Sequence, residues 1–395
     1  MPSRLRLTLL LGMPLLLIAS TSMVTQLAAE EPSSHAKEPQ VLFEYETLNG
    51  EEYGYRIPSL VKTNSGALLA VAERRLGLHD HSENDLVMRR STDNGKTWSS
   101  IELIAEAGSD SLNDPCMIVL DSGRILLRYI HFPHGVHARK TDHTVRALAG
   151  YDGPKNVRLF LMHSDDEGQS WSEPRDVTRA FRREGAISLG SPGVGIQLTT
   201  GEHAGRILFP NYEVFPVGDA DRYTRNSASY SDDDGETWHL SEPIAEPTEQ
   251  GQGNEAQVVE LATGELLLSS RDQDGGIYRK LSRSTDGGET WSTHTFLTEF
   301  VTPHCMASLI RYQHDGEDLL LHCGPNSRRW RLHGTVFYSR DGGEHWLTAR
   351  EIEPEYLGYN VLCQLANGRI GCLYETEDCL KIVFTDFSLD DLFIK

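Results

Sequence analysis

The sequence predicts an all-β fold, a six-bladed β-propeller with four-stranded antiparallel blades. Three observations predict it. An eight-residue turn motif, Ser-x-Asp-x-Gly-x-Thr-Trp, recurs five times. Strand-like runs precede each copy, and helical periodicity is scarce between them. Successive copies are 73, 67, 53 and 55 residues apart, the span of one four-stranded sheet with variable loops.

The boxes are Ser91–Trp98, Ser164–Trp171, Ser231–Trp238, Ser284–Trp291 and Ser339–Trp346, with Ser170 and His345 replacing the threonine in the second and fifth. Five of the six tryptophans lie in them, so the aromatic belongs to the repeat. Each box reads as a hairpin turn. The Asp carboxylate accepts hydrogen bonds from the turn backbone. The Gly supplies a left-handed conformation. The Trp leaves the turn and buries its ring against a neighbouring sheet.

Leu86–Arg90, Val157–His163, Arg225–Tyr230, Ile277–Arg283 and Thr335–Tyr338 read as the strands entering the boxes. Gly66–Val71, Gly123–Leu127, Gly205–Phe209 and Gly264–Leu268 share a G-x-(I/L)-L theme, with Gly368–Leu373 a looser copy. They read as inner strands. Only Val177–Arg183 reads as a short helix. At about 60 residues per blade, residues 41–395 make six blades in one domain.

The N-terminus differs. Arg4 and Arg6 precede an apolar run from Leu7 to Ile18, and small residues lead to Ala28 and Ala29. Residues 1–29 therefore read as a secretory signal peptide and 30–40 as a polar leader. The expectation is export, to the periplasm or outside the cell, with no membrane span in the mature chain.

A formal net charge of −21 argues against nucleic acid and anionic lipid as partners. The six cysteines include no C-x-x-C pair, and they read as buried thiols rather than a zinc site. Asp232-Asp233-Asp234-Gly235 has its glycine misplaced for a calcium loop and no distal Glu. His79 and His81 form a His-x-His pair without further ligands, and the His131, His134 and His137 loop reads as surface. No metal and no cofactor is expected.

The boxes hold no chemistry; the residues between them do. Tyr55-Arg56-Ile57-Pro58 ahead of the first blade, together with the boxes, resembles the sialidase (neuraminidase) superfamily of exo-glycosidases, from about Tyr53 to Glu375. The resemblance implies an arginine triad that clamps the carboxylate of sialic acid. Arg56 matches the first member, and Arg271 the second, after Glu255-Ala256-Gln257-Val258-Val259-Glu260-Leu261. Arg331, eight residues before Ser339, matches the third, with Arg328 and Arg329 close by. A planar guanidinium pairs bidentately with carboxylate, and three offset the acidic background.

The resemblance makes Tyr359 the nucleophile, in Tyr359-Asn360-Val361-Leu362 through Leu373-Tyr374-Glu375, with Glu255 accepting its proton. A neutral phenol avoids the repulsion a carboxylate would meet at an anomeric carbon that already bears one; sialidases are a known exception to the two-carboxylate rule. Asp80 matches the acid/base and Arg75 a further pocket arginine, with Asp85 the rival to Asp80. Asp114 and Tyr212 match positions around the sugar's O4 and N-acetyl group.

The function implied is a retaining exo-α-sialidase acting on terminal sialic acids of glycoconjugates. Two alternatives stand beside it. One is a hydrolase or transglycosidase for a related keto-acid sugar, such as Kdn or Kdo. The other is a non-catalytic sialoside-binding propeller, which need not keep Tyr359, Glu255 and Asp80 together.

Overall fold

The first strand pairs with the last: Gln40–Glu44 runs antiparallel to Lys381–Phe387, with Gln40 opposite Phe384. This computed structural model describes residues 38–393, except 139, 142, 218–220 and 274. The signal peptide and residues 30–37 of the leader lie outside the described residues. Gln40, the last leader position, already belongs to the closing strand.

The expectation of six separate four-stranded sheets needs one correction. Among the described residues, three sheets have four strands, one has five, one has ten and one is a two-stranded pair of Val136–His137 with Val145–Arg146. The ten-stranded sheet contains two antiparallel meanders, joined where Asn84 meets Ser111 in a parallel bridge. Counted by meander rather than by continuous ladder, the chain repeats the unit six times.

A second correction concerns the inner strands. The G-x-(I/L)-L stretches open the second strand of each unit, for example Leu68–Leu76 and Leu266–Asp272. The strands that pack on one another around the centre precede them. Glu51–Lys62 packs on Ser111–Val119 and on Asn360–Gln364. Gly253–Glu260 packs on Ser308–His314, which packs on Asn360–Gln364. The glycines sit in the hairpin between first and second strands, where Gly66, Gly123 and Gly264 have φ of 91°, 89° and 84°. The short helix is Thr178–Phe181.

Each box is a hydrogen-bonded turn at the outer hairpin. In the first, Thr97 donates its backbone N–H (2.9 Å) and hydroxyl (2.7 Å) to Asp93, and Gly95 N–H donates to Ser91 Oγ at 2.9 Å. The fifth box keeps the pattern with another side chain: His345 places Nδ1 2.7 Å from Asp341 Oδ2. The box glycine does two jobs. Gly168 has φ of 79°, and a Cβ there would come within 2.7 Å of Leu69 on the preceding unit. Box tryptophans fill the space between sheets; the Trp238 ring lies 4.8 Å from Phe181 and 5.5 Å from Phe209. Asp232 accepts from Arg206 at 2.7 and 2.9 Å. All six cysteines are free thiols, five of them buried. Among the described residues, no helix is long and apolar enough to cross a membrane.

Candidate active site

Two inner strands carry the same local device. In Arg56-Ile57-Pro58, Ile57 adopts a left-handed φ of 57°, and a bulge interrupts the ladder between Arg56 and Ser59. In Asn113-Asp114-Pro115, Asp114 has φ of 53°, with a bulge between Asn113 and Cys116. A β-branched residue in this region costs about 1–2 kcal/mol. The fold offsets that cost with a hydrogen bond to a buried glutamate at each place. Ile57 N–H donates to Glu375 at 2.9 Å, and Asp114 N–H donates to Glu73 at 2.7 Å. Bulges of this kind re-aim side chains, and both occur beside one cavity.

That cavity holds about 480 Å³. Arg56, Arg75, Asp80, Asp114, Tyr212, Glu255, Arg271, Arg331 and Tyr359 all line it. Residues more than three hundred positions apart thus meet at one end of the inner strands. Grooves of about 560 and 570 Å³ lie at outer turns beside Trp171 and Trp238, but neither gathers a comparable set of buried charged groups.

Tyr359 is the centre of the polar network. Its hydroxyl donates to Glu255 through a short direct hydrogen bond. Arg271 Nη1 donates to the same hydroxyl at 2.8 Å and to the other Glu255 oxygen at 2.7 Å. The guanidinium carbons of Arg56 and Arg331 stand 5.4 and 5.1 Å from the Tyr359 ring centre. Burial, and then the Glu255 charge, raise the phenol well above its ordinary range, while Arg271 and Arg331 oppose them. Among the described residues, the buried Arg271 Nε has no hydrogen-bond partner.

Two glutamates that the sequence did not single out hold this arrangement. Glu375, fully buried, accepts from Arg56 Nε at 2.9 Å and Nη2 at 3.1 Å, and from Tyr359 N–H at 3.0 Å. Arg331 lies 3.9 Å from it. Burial would raise Glu375, but Arg56 and then Arg331 outweigh it and keep the carboxylate ionised. Glu73 accepts from Arg75 Nε at 2.6 Å. Burial, opposed by Arg75, raises its carboxyl.

Asp80 sits on the loop after Leu68–Leu76 with its side chain 59% exposed. Arg75 Nη1 donates to it at 2.7 Å, and Arg56 Nη1 lies 3.7 Å away. Burial would raise its carboxyl, but Arg75 and then Arg56 hold it far below the ordinary carboxylate range. The rival Asp85 is bound by Arg74 at 2.7 Å and does not line the cavity. Arg328 and Arg329 are exposed and also stand outside it. Burial, and then Glu73 and Glu255, raise Asp114 well above its ordinary range.

Leu78, Phe132, Ala138, Leu189 and Val214 give the cavity an apolar wall beside Tyr212. Sequence reasoning missed this wall because its members come from separate strands and loops with no shared motif. In chemical terms the cavity offers three guanidiniums for an anion, a phenol–carboxylate pair, and an open carboxylate.

The BNR repeat-like domain profile matches residues 66–372. A sialidase of Bacteroides fragilis is 30% identical over 343 residues, covering 82% of this chain and 60% of that protein. A sialidase of Micromonospora viridifaciens is 30% identical over 367 residues, covering 89% of this chain and 54% of that protein. The solved structure of Hadza microbial sialidase Hz136 superposes with a TM-score of 0.74 at 30% identity, covering 85% of this chain and 66% of that one. The chain thus spans only between half and two thirds of these relatives' lengths. With the repeat profile covering most of its length, the chain belongs to the BNR repeat-like family and is similar to sialidases.

Proposed function

We propose that this protein is a retaining exo-α-sialidase that releases terminal α-linked sialic acids from glycoconjugates. The observation that carries the reading is the Tyr359 hydroxyl, bonded to Glu255 and Arg271 beneath Arg56 and Arg331. The substrate carboxylate occupies the three guanidiniums, which fixes the anomeric carbon near the phenol. Glu255 takes the phenolic proton as the oxygen attacks. Asp80 gives its proton to the departing glycosidic oxygen. The same Asp80 then removes a proton from water, which displaces Tyr359 from the sugar while Glu255 returns the proton to the phenol. Two displacements at one carbon give net retention.

The acid role needs a protonated Asp80, which the empty site disfavours. Substrate binding shifts Asp80 toward protonation, because the incoming carboxylate adds negative charge beside Arg56, 3.7 Å from Asp80, while Arg75 stays bonded at 2.7 Å. The apolar wall at Phe132, Leu189 and Val214 favours a sugar carrying an N-acetyl methyl over Kdn or Kdo, both of which would bring a hydroxyl to it.

Turnover of a methylumbelliferyl sialoside, lost in Tyr359→Phe, tests the reading. No turnover of any sialoside from acid to neutral pH would overturn it, and binding without turnover would leave a sialoside-binding propeller. We also propose export with cleavage after residue 29, which N-terminal sequencing of the mature protein checks.

A further inference from the structure

Four histidines at the cavity mouth remain outside the chemistry above. His79 and His81 flank Asp80, and His137 and His143 come from the loop after Ile125–Phe132. Their rings form a continuous chain of contacts, stacked except where His81 meets His137 edge-on at 64°. Phe132 lies 5.2 Å from His137, His137 lies 6.3 Å from His81, and His81 lies 5.5 Å from His79 and 6.0 Å from His143. Phe132, His137, His81 and His79 line the cavity, and His143 is exposed beyond it. This chain of rings therefore runs from the buried Phe132 past Asp80 to solvent.

The ring geometry separates two uses. His79 with His81, and His81 with His143, lie nearly parallel at 21° and 24°. Faces are stacked rather than nitrogens converged, and among the described residues no group of three ligating side chains is placed to hold a metal ion. A wall of flat rings beside an acid suits a sugar, whose C–H faces pack on rings. Asp80 protonates the departing oxygen, so what lies beside Asp80 on the open side meets the departing sugar.

Resting on the sialidase reading, we propose that His79, His81, His137 and His143 form the subsite for the leaving sugar, and that it favours a glycan stem carrying an anionic substituent once the imidazoles are charged. The charged groups around the cluster are Asp80 between its members, Arg75 and Arg56 behind Asp80, Arg146 opposite His137 on the neighbouring strand, and Glu73 with Asp114 deeper in the cavity. Burial, and then the neighbouring His79, hold His81 below the ordinary imidazole range. Charging of His81 therefore belongs to the acid side of neutrality. On a chain of net charge −21, that change turns this part of the rim from repelling an anionic stem to attracting it.

The test compares three substrates sharing one terminal sialic acid: sialyllactose, its ring-sulfated form, and a disialyl stem whose second residue supplies a carboxylate. The readout is the ratio of kcat/KM for each anionic stem to that for sialyllactose. In the unaltered protein we expect the ratio to rise about threefold to fivefold between about pH 7.5 and about pH 5. In His79→Gln/His143→Gln, which keeps polar bulk at exposed positions but cannot charge, the rise should shrink to less than about twofold. A rise with sulfate alone or carboxylate alone supports the subsite and identifies the group it takes. A ratio flat with pH, or an equal rise in the double variant, overturns the inference while sialyllactose turnover leaves the sialidase reading intact. Failure to turn over all three substrates overturns both.

Discussion

The hydroxyl of Tyr359 donates directly to Glu255, 104 positions away in the chain. Tyr359 comes from the turn before Asn360–Gln364 and Glu255 from Gly253–Glu260, inner strands that both flank Ser308–His314. A bulge between Gly253 and Ala256 turns Glu255 into the cavity. Buried and raised, the phenol does not ionise by itself at neutral pH. It becomes a nucleophile only as Glu255 takes its proton, so the two residues act as one unit.

That coupling makes Tyr359→Phe a clean probe. The ring stays packed between Arg56 and Arg331, so folding should hold. We expect kcat to fall by roughly a thousandfold or more, with little change in binding of the carboxylate. Glu255→Gln should lose a similar factor, and the double variant should lose hardly more than either single one. Additive losses, measured by steady-state kinetics on one sialoside, would show that the pair does not act together.

Asp80 acts at both ends of the proposed cycle, and leaving-group chemistry separates the two. Asp80→Asn should slow release of lactose by about 10²–10⁴-fold, because an alkoxide leaves poorly without a proton. An aryl leaving group needs no such help. With methylumbelliferyl sialoside, Asp80→Asn should release a rapid burst of fluorophore and then turn over slowly, since water lacks its base. Stopped-flow fluorescence reads this directly. Equal losses on both substrates, with no burst, would remove Asp80 from the acid role.

Much of this architecture is legible in the sequence. The boxes fix the repeat, and their spacing picks Arg331 from its neighbours Arg328 and Arg329, which face solvent. Glu73 and Glu375 are a different case. Each lies within a second strand and looks like any alternating residue until the bulges at Ile57 and Asp114 aim backbone N–H groups at them. The fusion of two units into one ladder hangs on the single bridge at Asn84 and Ser111, for which no composition signal exists. The His137 loop is likewise unreadable alone, because its rings gain meaning only from His79 and His81 across the cavity mouth.

Glu375 gives a prediction with two readouts. It is fully buried and serves Arg56, Ile57 N–H and Tyr359 N–H together. Glu375→Gln keeps the shape but strands the Arg56 charge in a closed site. We expect a loss of about 3 kcal/mol in stability, as for other broken buried pairs. KM should rise more than kcat falls, since the arginine clamp loosens before the nucleophile moves. Denaturant unfolding and steady-state kinetics measure the two effects. Unchanged stability with unchanged KM would show that the arginines hold their places without it.

The boxes themselves should set the acid limit of the fold. Asp93, Asp166 and Asp233 are each lowered to about 2, foremost by the hydroxyls of Thr97, Ser170 and Thr237 and next by the backbone N–H of the same residues. A depressed folded value means that the stabilisation is present above the unfolded carboxyl value of about 3.9 and is lost as pH falls toward 2. Asp166→Asn should therefore lower Tm at neutral pH and make little difference near pH 2. The fifth box adds the opposite dependence. Asp341, foremost through its hydrogen bond, raises His345, so its contribution is full below about pH 6.5 and fades as pH climbs through the folded value. His345→Gln should lower Tm at about pH 5 and not above about pH 8. Thermal scans across pH decide both. A Tm deficit that stays constant across pH in either variant would mean that the turn is held by its backbone and glycine alone, with the charge on its carboxylate irrelevant.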